Sequence, residues 1–117
     1  MVEGERVYIM ANKYGAIKTN GYSSKREAKR AAELKLLEAS GVITGLREQV
    51  VYILAPSVII QGRKRPPLRY IADFEYMLHD LNPAELIVED VKGMRTDVYR
   101  VKRHLMKSVH GIDILET

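Results

Sequence analysis

Asp90 and Lys92 stand two residues apart in LIVEDVKG, Leu86 to Gly93, and in an extended strand that spacing turns both side chains to one face. A carboxylate and an ammonium side by side on a sheet can hold a hard divalent cation. They can also orient an attacking water, or steady the charge that builds on a phosphate in its transition state. A second carboxylate comes from YIADFEYML, where Asp73 shares a face with Ile71, Glu75 and Met77, opposite Phe74 and Tyr76. If the two strands pair with Asp73 across from Val88, Asp90 or Lys92, the three charges meet at one spot. Burial of such charges costs several kcal/mol without compensation, which a bound Mg²⁺ supplies, with the Val91 carbonyl as a further ligand. The same spacing also suits a salt bridge on a solvated hairpin, and spacing alone does not separate the two. Glu89 competes with Asp90 for the acidic role, but only Asp90 has a single residue between itself and Lys92.

Glu27 carries a similar ambiguity. Ser24, Lys25, Arg26 and Glu27 fit the S-x-x-E capping box, in which serine and glutamate satisfy each other's backbone N–H groups at a helix start. Glu27 also lies on one helical stripe with Ala31 and Leu34, which turns its carboxylate inward, toward a sheet. Other chemistries lack their residues. His79, His104 and His110 form no HExxH pattern, and neither GxGxxG, GxxxxGK[ST] nor GxSxG occurs.

The elements that position these groups follow from periodicity. Ser24 to Ser40 is rich in Ala, Leu, Glu, Lys and Arg, and Ala28, Ala31, Leu34 and Leu37 form its apolar stripe before Gly41 ends it. Leu46 to Leu54 suits a strand, Gln61 to Pro67 (QGRKRPP) a basic loop, and Arg69 to Leu78 with Glu85 to Lys92 an antiparallel hairpin turning at HDLNP. Thr96 to Val109 forms a second helix with Val98, Val101, Leu105 and Val109 on its core face and Gly111 as its stop. Ile112 to Leu115 is a short closing strand. Residues 1–21 read as an irregular segment or loose hairpin around Val7 to Met10. Helix, three strands, helix, strand makes a single-domain mixed α/β sandwich over 1–117.

With 117 residues, 46% of them hydrophobic, one domain with a real core is expected. The absence of Cys excludes disulfides and thiolate zinc sites, no apolar run is long enough to span a bilayer, and a cytoplasmic setting is expected. The net charge of +4 comes from 19 basic against 15 acidic residues, and the basic ones cluster. They gather in Lys25 to Lys35, Arg63 to Arg69 and Arg95 to Lys107, and Arg63, Lys64, Arg65, Arg95, Arg100, Arg103 and Lys107 are the ones suited to phosphate contacts. A non-catalytic DNA-binding module and a structural protein with plain salt bridges remain open on these grounds.

Taken in order, YSSKREAKRAAELKLLEASG, LREQVVY, YIADFEY, LIVEDVKG and a basic helix resemble the small phage-associated nucleases of the PD-(D/E)XK superfamily. More distantly, they are similar to phage endonuclease I type junction resolvases. The likeness covers Tyr22 to Glu116 and implies a restriction-endonuclease-like α/β/α sandwich. It matches Glu27 to the helix carboxylate, Asp73 to the first metal-binding Asp, Asp90 to the second acid and Lys92 to the motif lysine, with Gln49 as a hydrogen-bonding aid. Ala72 stands where the family's name has Pro. The resemblance implies Mg²⁺ or Mn²⁺, held by Asp73, Asp90, Val91 and Glu27, and DNA phosphodiester hydrolysis leaving a 5′ phosphate. It further implies branched DNA such as a Holliday junction, a homodimer, and the host cytoplasm if the gene is a phage's.

Overall fold

The computed structural model describes residues 21–22, 24–80, 82–92 and 94–117. The irregular segment expected over 1–21, with its loose hairpin at Val7 to Met10, lies outside the described residues apart from Gly21. Helix α1 spans Lys25–Ser40, strand β1 Ile43–Ala55, β2 Val58–Ile60, β3 Arg63–Arg65, β4 Leu68–Leu78 and β5 Glu85–Asp90. Helix α2, Asp97–His110, and strand β6, Leu115–Glu116, follow. The main sheet runs β1-β4-β5-β6, antiparallel between the first two pairs and parallel between β5 and β6, while β2 and β3 pair by themselves. The chain is a mixed α/β single domain, as expected.

Local signals set both helices. The Ser24 hydroxyl accepts from the Glu27 N–H, and Gly41 ends α1 at φ 85°, a left-handed conformation that suits glycine. Thr96 and Gly111 repeat this arrangement on α2, with φ 70° at the glycine. Along β5, Val88 packs in one core with Tyr99 and Met106 of α2, whereas Ile87 packs in the other with Ala31 and Leu34 of α1. Neighbouring residues of a strand point to opposite faces, so the two helices cover opposite faces of the sheet.

Four expectations need correction. Val98, Val101 and Val109 are 65%, 59% and 51% exposed. The buried face of α2 is instead Tyr99 and Met106, with Leu105 half-buried, because the largest side chains bury most area and turn the helix away from its valine stripe. On α1, Ala28 and Leu37 are only half-buried, and the inward stripe is Glu27, Ala31 and Leu34. Gln61 to Pro67 is no plain loop. Gln61 and Gly62, at φ 51° and 77°, form a two-residue turn joining β2 to β3, the geometry whose twist matches paired strands. The closing strand is Leu115–Glu116 rather than Ile112 to Leu115.

A further departure shapes the site. Glu75 sits across from Val88 and Phe74 across from Glu89, so strict alternation would put Ala72 and Tyr70 on the α1 side with Phe74 and Tyr76. Ala72 and Tyr70 pack instead with Val88 against α2. The faces of β4 therefore exchange at Asp73. On β1 the same exchange falls between Glu48, paired with Phe74, and Val50, paired with Ala72. The residue between them, Gln49, has φ 54°, a left-handed backbone that breaks the alternation of a strand.

Candidate metal-binding cleft

The exchange of faces puts Asp73 at the seam between the two layers, reachable from both. On the α2 side, a cleft of about 310 Å³ is lined by Gln49, Tyr70, Asp73, Asp90, Lys92, Tyr99 and Lys102. On the α1 side, a second opening of about 380 Å³ is lined by Ser24, Arg26, Glu27, Asp73, Asp90, Val91 and Lys92. Asp73, Asp90 and Lys92 border both.

Each of these groups has a defined partner. Asp73 Oδ2 accepts from the Val91 N–H at 2.8 Å. Asp90 Oδ2 accepts from the Tyr70 hydroxyl at 2.5 Å, and its Oδ1 lies 3.3 Å from Lys92 Nζ. Lys92 Nζ stands 3.9 Å from the centre of the Tyr99 ring, close enough for the ring's negative face to attract it. The Tyr99 hydroxyl donates to Glu116, which also pairs with Arg95 and Arg103 and is held down to about 2 by those bonds, Tyr99's first. Glu27, buried at the start of α1, accepts from the Gln49 amide at 3.0 Å. The serine half of the capping box is thus present, while the glutamate also reaches into the sheet.

Negative charge crowds this seam. Burial first, then the charges of Asp90 and Glu27, push the Asp73 carboxyl up to about 9. Burial and the neighbouring Asp90 likewise push the Tyr70 hydroxyl up. Among the described residues no group of three or more His, Cys, Asp and Glu forms a ready cage for a metal. A divalent cation of the Mg²⁺ kind takes only one or two carboxylates and completes its shell with water and phosphate oxygen. Asp73 and Asp90, crowded together with Glu27 behind them, fit that demand, because a cation offsets both the burial of charge and the repulsion that raise Asp73.

Glu89 belongs elsewhere. It points to the α1 side and is 0% exposed. Its carboxylate accepts from Arg30 Nε at 2.6 Å and Nη2 at 3.0 Å, Tyr76 at 2.7 Å and Thr117 at 3.0 Å, so its capacity is filled by structure. Of the basic residues expected to meet nucleic acid, Arg95 and Arg103 pair with Glu116, Arg100 with Asp97 and Lys107 with Asp113. Arg63, Lys64 and Arg65 lie apart, on the exposed β2–β3 hairpin.

A family model described as Protein of unknown function (DUF1064) matches residues 10–112, which spans the cleft. The chain belongs to this family. No curated protein and no solved structure matches it significantly. Within this DUF1064 chain, sequence reasoning missed Tyr70, Tyr99 and Lys102 as residues of the cleft. Tyr70 was hidden because the alternation that places it is broken at Asp73. Tyr99 and Lys102 share one helical stripe with Met106, a pattern the sequence does offer. Among the described residues no helix is long and apolar enough to cross a membrane.

Proposed function

We propose that this chain is a Mg²⁺-dependent endonuclease of the PD-(D/E)XK kind, hydrolysing DNA phosphodiester bonds. The observation that carries this reading is the meeting of Asp73, Asp90 and Lys92 at a cleft open on two sides, with Asp73 driven toward its protonated form by burial first and then by its acidic neighbours. Asp73 and Asp90 hold the cation, with the Val91 carbonyl and Glu27 as further ligands, directly or through water. When bound, the ion polarises the scissile phosphate and lowers the pKa of its water. Lys92, steadied between Asp90 and the Tyr99 ring, orients the attacking water or meets the charge growing on the phosphate. Gln49 keeps the Glu27 carboxylate turned to the site. Mn²⁺ substitutes for Mg²⁺ on this reading. By the same likeness the substrate is branched DNA, cut by a homodimer in the cytoplasm.

The test is incubation of linear, flapped and four-way DNA with the parent, Asp73→Ala and Asp90→Ala, with and without Mg²⁺. Cleavage by the parent that needs the metal, and is lost in both variants while DNA binding persists, is the expected result. Undiminished nicking by either variant overturns the site. DNA binding without metal-dependent cleavage by the parent points instead to a non-catalytic binding module.

A further inference from the structure

The β2–β3 hairpin continues the β1–β4 pair rather than forming a separate unit. Ala55 pairs with Leu68 and Val58 with Arg65, three residues further along each strand, so beyond the shift in pairing between Ile53 and Ala55 one register runs from the end of β1–β4 through the hairpin. Pro56 on one strand and Pro66 and Pro67 on the other occupy the gap, where a residue without an N–H cannot extend the ladder. The outcome is one long ribbon ending at the Gln61–Gly62 turn. Its tip carries Val58, Ile59 and Ile60, 48%, 75% and 50% exposed, against Arg63, Lys64 and Arg65 on the facing strand. A lone two-stranded ribbon is marginal in water, and a tip this apolar fits a bound state better than a free one.

Charge names the occupant. No acidic residue occurs between Glu48 and Asp73, a stretch that holds four basic ones. Among the described residues Arg63, Lys64, Arg65 and Arg69 make no ion pair, whereas Arg95, Arg100, Arg103 and Lys107 are all engaged by carboxylates. An unneutralised basic ribbon is complementary to a polyanion and repels a second copy of itself.

We propose that the Val58–Arg65 hairpin is an arm that lies in the major groove of B-form duplex DNA, with Val58, Ile60, Arg63 and Arg65 on the face toward the bases and backbone. This rests on the nuclease reading of the carboxylate cleft. A two-stranded ribbon, its strands about 5 Å apart, fits a groove about 12 Å wide. The deep, narrow major groove of A-form RNA does not admit it. Twelve residues of strand separate Gln49 in the cleft from Gln61 at the tip, about 35–40 Å at strand rise, within the molecule's 53 Å longest extent. That is close to one turn of B-DNA, so the arm meets the duplex about ten base pairs from the phosphate held in the cleft.

Fluorescence anisotropy in EDTA reads this without cleavage, using the full chain, a duplex with fifteen base pairs on each side of its centre, one with four, and a 30-base-pair RNA duplex. Arg63→Ala with Arg65→Ala is expected to lower affinity for the long DNA duplex tenfold or more. The slope of log Kd against log salt should fall by about two, one unit per lost phosphate contact, with the short duplex unaffected. Ile60→Ser is expected to weaken the long complex with the slope unchanged. Equal binding of the long duplex by parent and both variants overturns the arm, as does RNA bound as tightly as DNA. Ultracentrifugation showing that Ile60→Ser dissociates a dimer and leaves DNA binding intact also overturns it, in favour of a second copy of the chain. Because anisotropy needs no catalysis, failure of the nuclease reading leaves the arm's result standing. A failed arm with metal-dependent cleavage of both duplexes leaves the cleft standing.

Discussion

Asp73→Asn should make the metal-free protein more stable while removing its response to metal. In the folded chain the Asp73 carboxyl is raised from 3.8 to about 9, so the fold retains a proton that the unfolded chain has already released at neutral pH. A raised carboxyl pKa means that stability falls as pH climbs through the interval between those two values. At pH 7 the penalty is set by the distance from 3.8 to 7 and not by how far above 7 the folded value lies; at about 1.36 kcal/mol per unit it is about 4 kcal/mol. Asn carries no charge to bury and none to repel Asp90 and Glu27, and its carbonyl oxygen can still accept from the Val91 N–H. The variant should therefore gain roughly 2–4 kcal/mol at pH 7, or about 10 °C in Tm for a chain of this size, and should match the parent near pH 4. Thermal melts from pH 4 to pH 8.5 in EDTA measure this, and repeating them in Mg²⁺ should raise the parent's Tm and not the variant's. A variant no more stable than the parent at pH 7, or a gap that does not widen with pH, would refute the raised Asp73 carboxyl.

Glu27→Gln should melt within a few degrees of the parent, since Gln serves a capping box as well as Glu does. Mg²⁺-dependent cleavage should fall by orders of magnitude, read in the same DNA assay, because an amide is a poor ligand for a hard cation. Arg30→Met leaves Glu89 in the core with its bidentate partner gone, and urea unfolding should show a loss of about 3–5 kcal/mol. Tyr99→Phe keeps the ring under Lys92 and should retain most cleavage, whereas Tyr99→Leu removes the ring and should cost about tenfold in rate, roughly the value of one cation–π contact. Equal rates for the two Tyr99 variants would show that Lys92 does not depend on its aromatic seat.

What could be read from the chain beforehand was whatever depends on near neighbours. Ser24, Gly41, Thr96 and Gly111 bounded both helices because caps act within one turn. The β4–β5 pairing, the opposed faces of Glu89 and Asp90, and the shared side of Asp90 and Lys92 followed from a period of two in a regular strand. Two things escaped because nothing local announces them. The left-handed backbone at Gln49 belongs to a residue with no preference for that conformation, and it decides which way Tyr70 faces 21 residues later. On α2, valines and tyrosine offered rival stripes, and the choice fell to whichever filled the space left by Val88 and Tyr70. The candidate site's charged residues stood in plain view; Tyr70, which seats Asp90, did not.

The unbroken register through the prolines leaves a trace that relatives of this chain can reveal. Residues taken out of the ribbon in equal numbers from both strands, between Ala55 and the turn and between the turn and Leu68, leave every pair below them matched. Removing two from each strand keeps every remaining side chain on its face and shortens the ribbon by about 7 Å, or about two base pairs of duplex. Removing one from each would turn Val58 and Arg65 to the other side. Lineages that differ in the length of this ribbon should therefore differ by matched, even-numbered gaps flanking the turn, while the spacing from Asp73 to Lys92 stays constant.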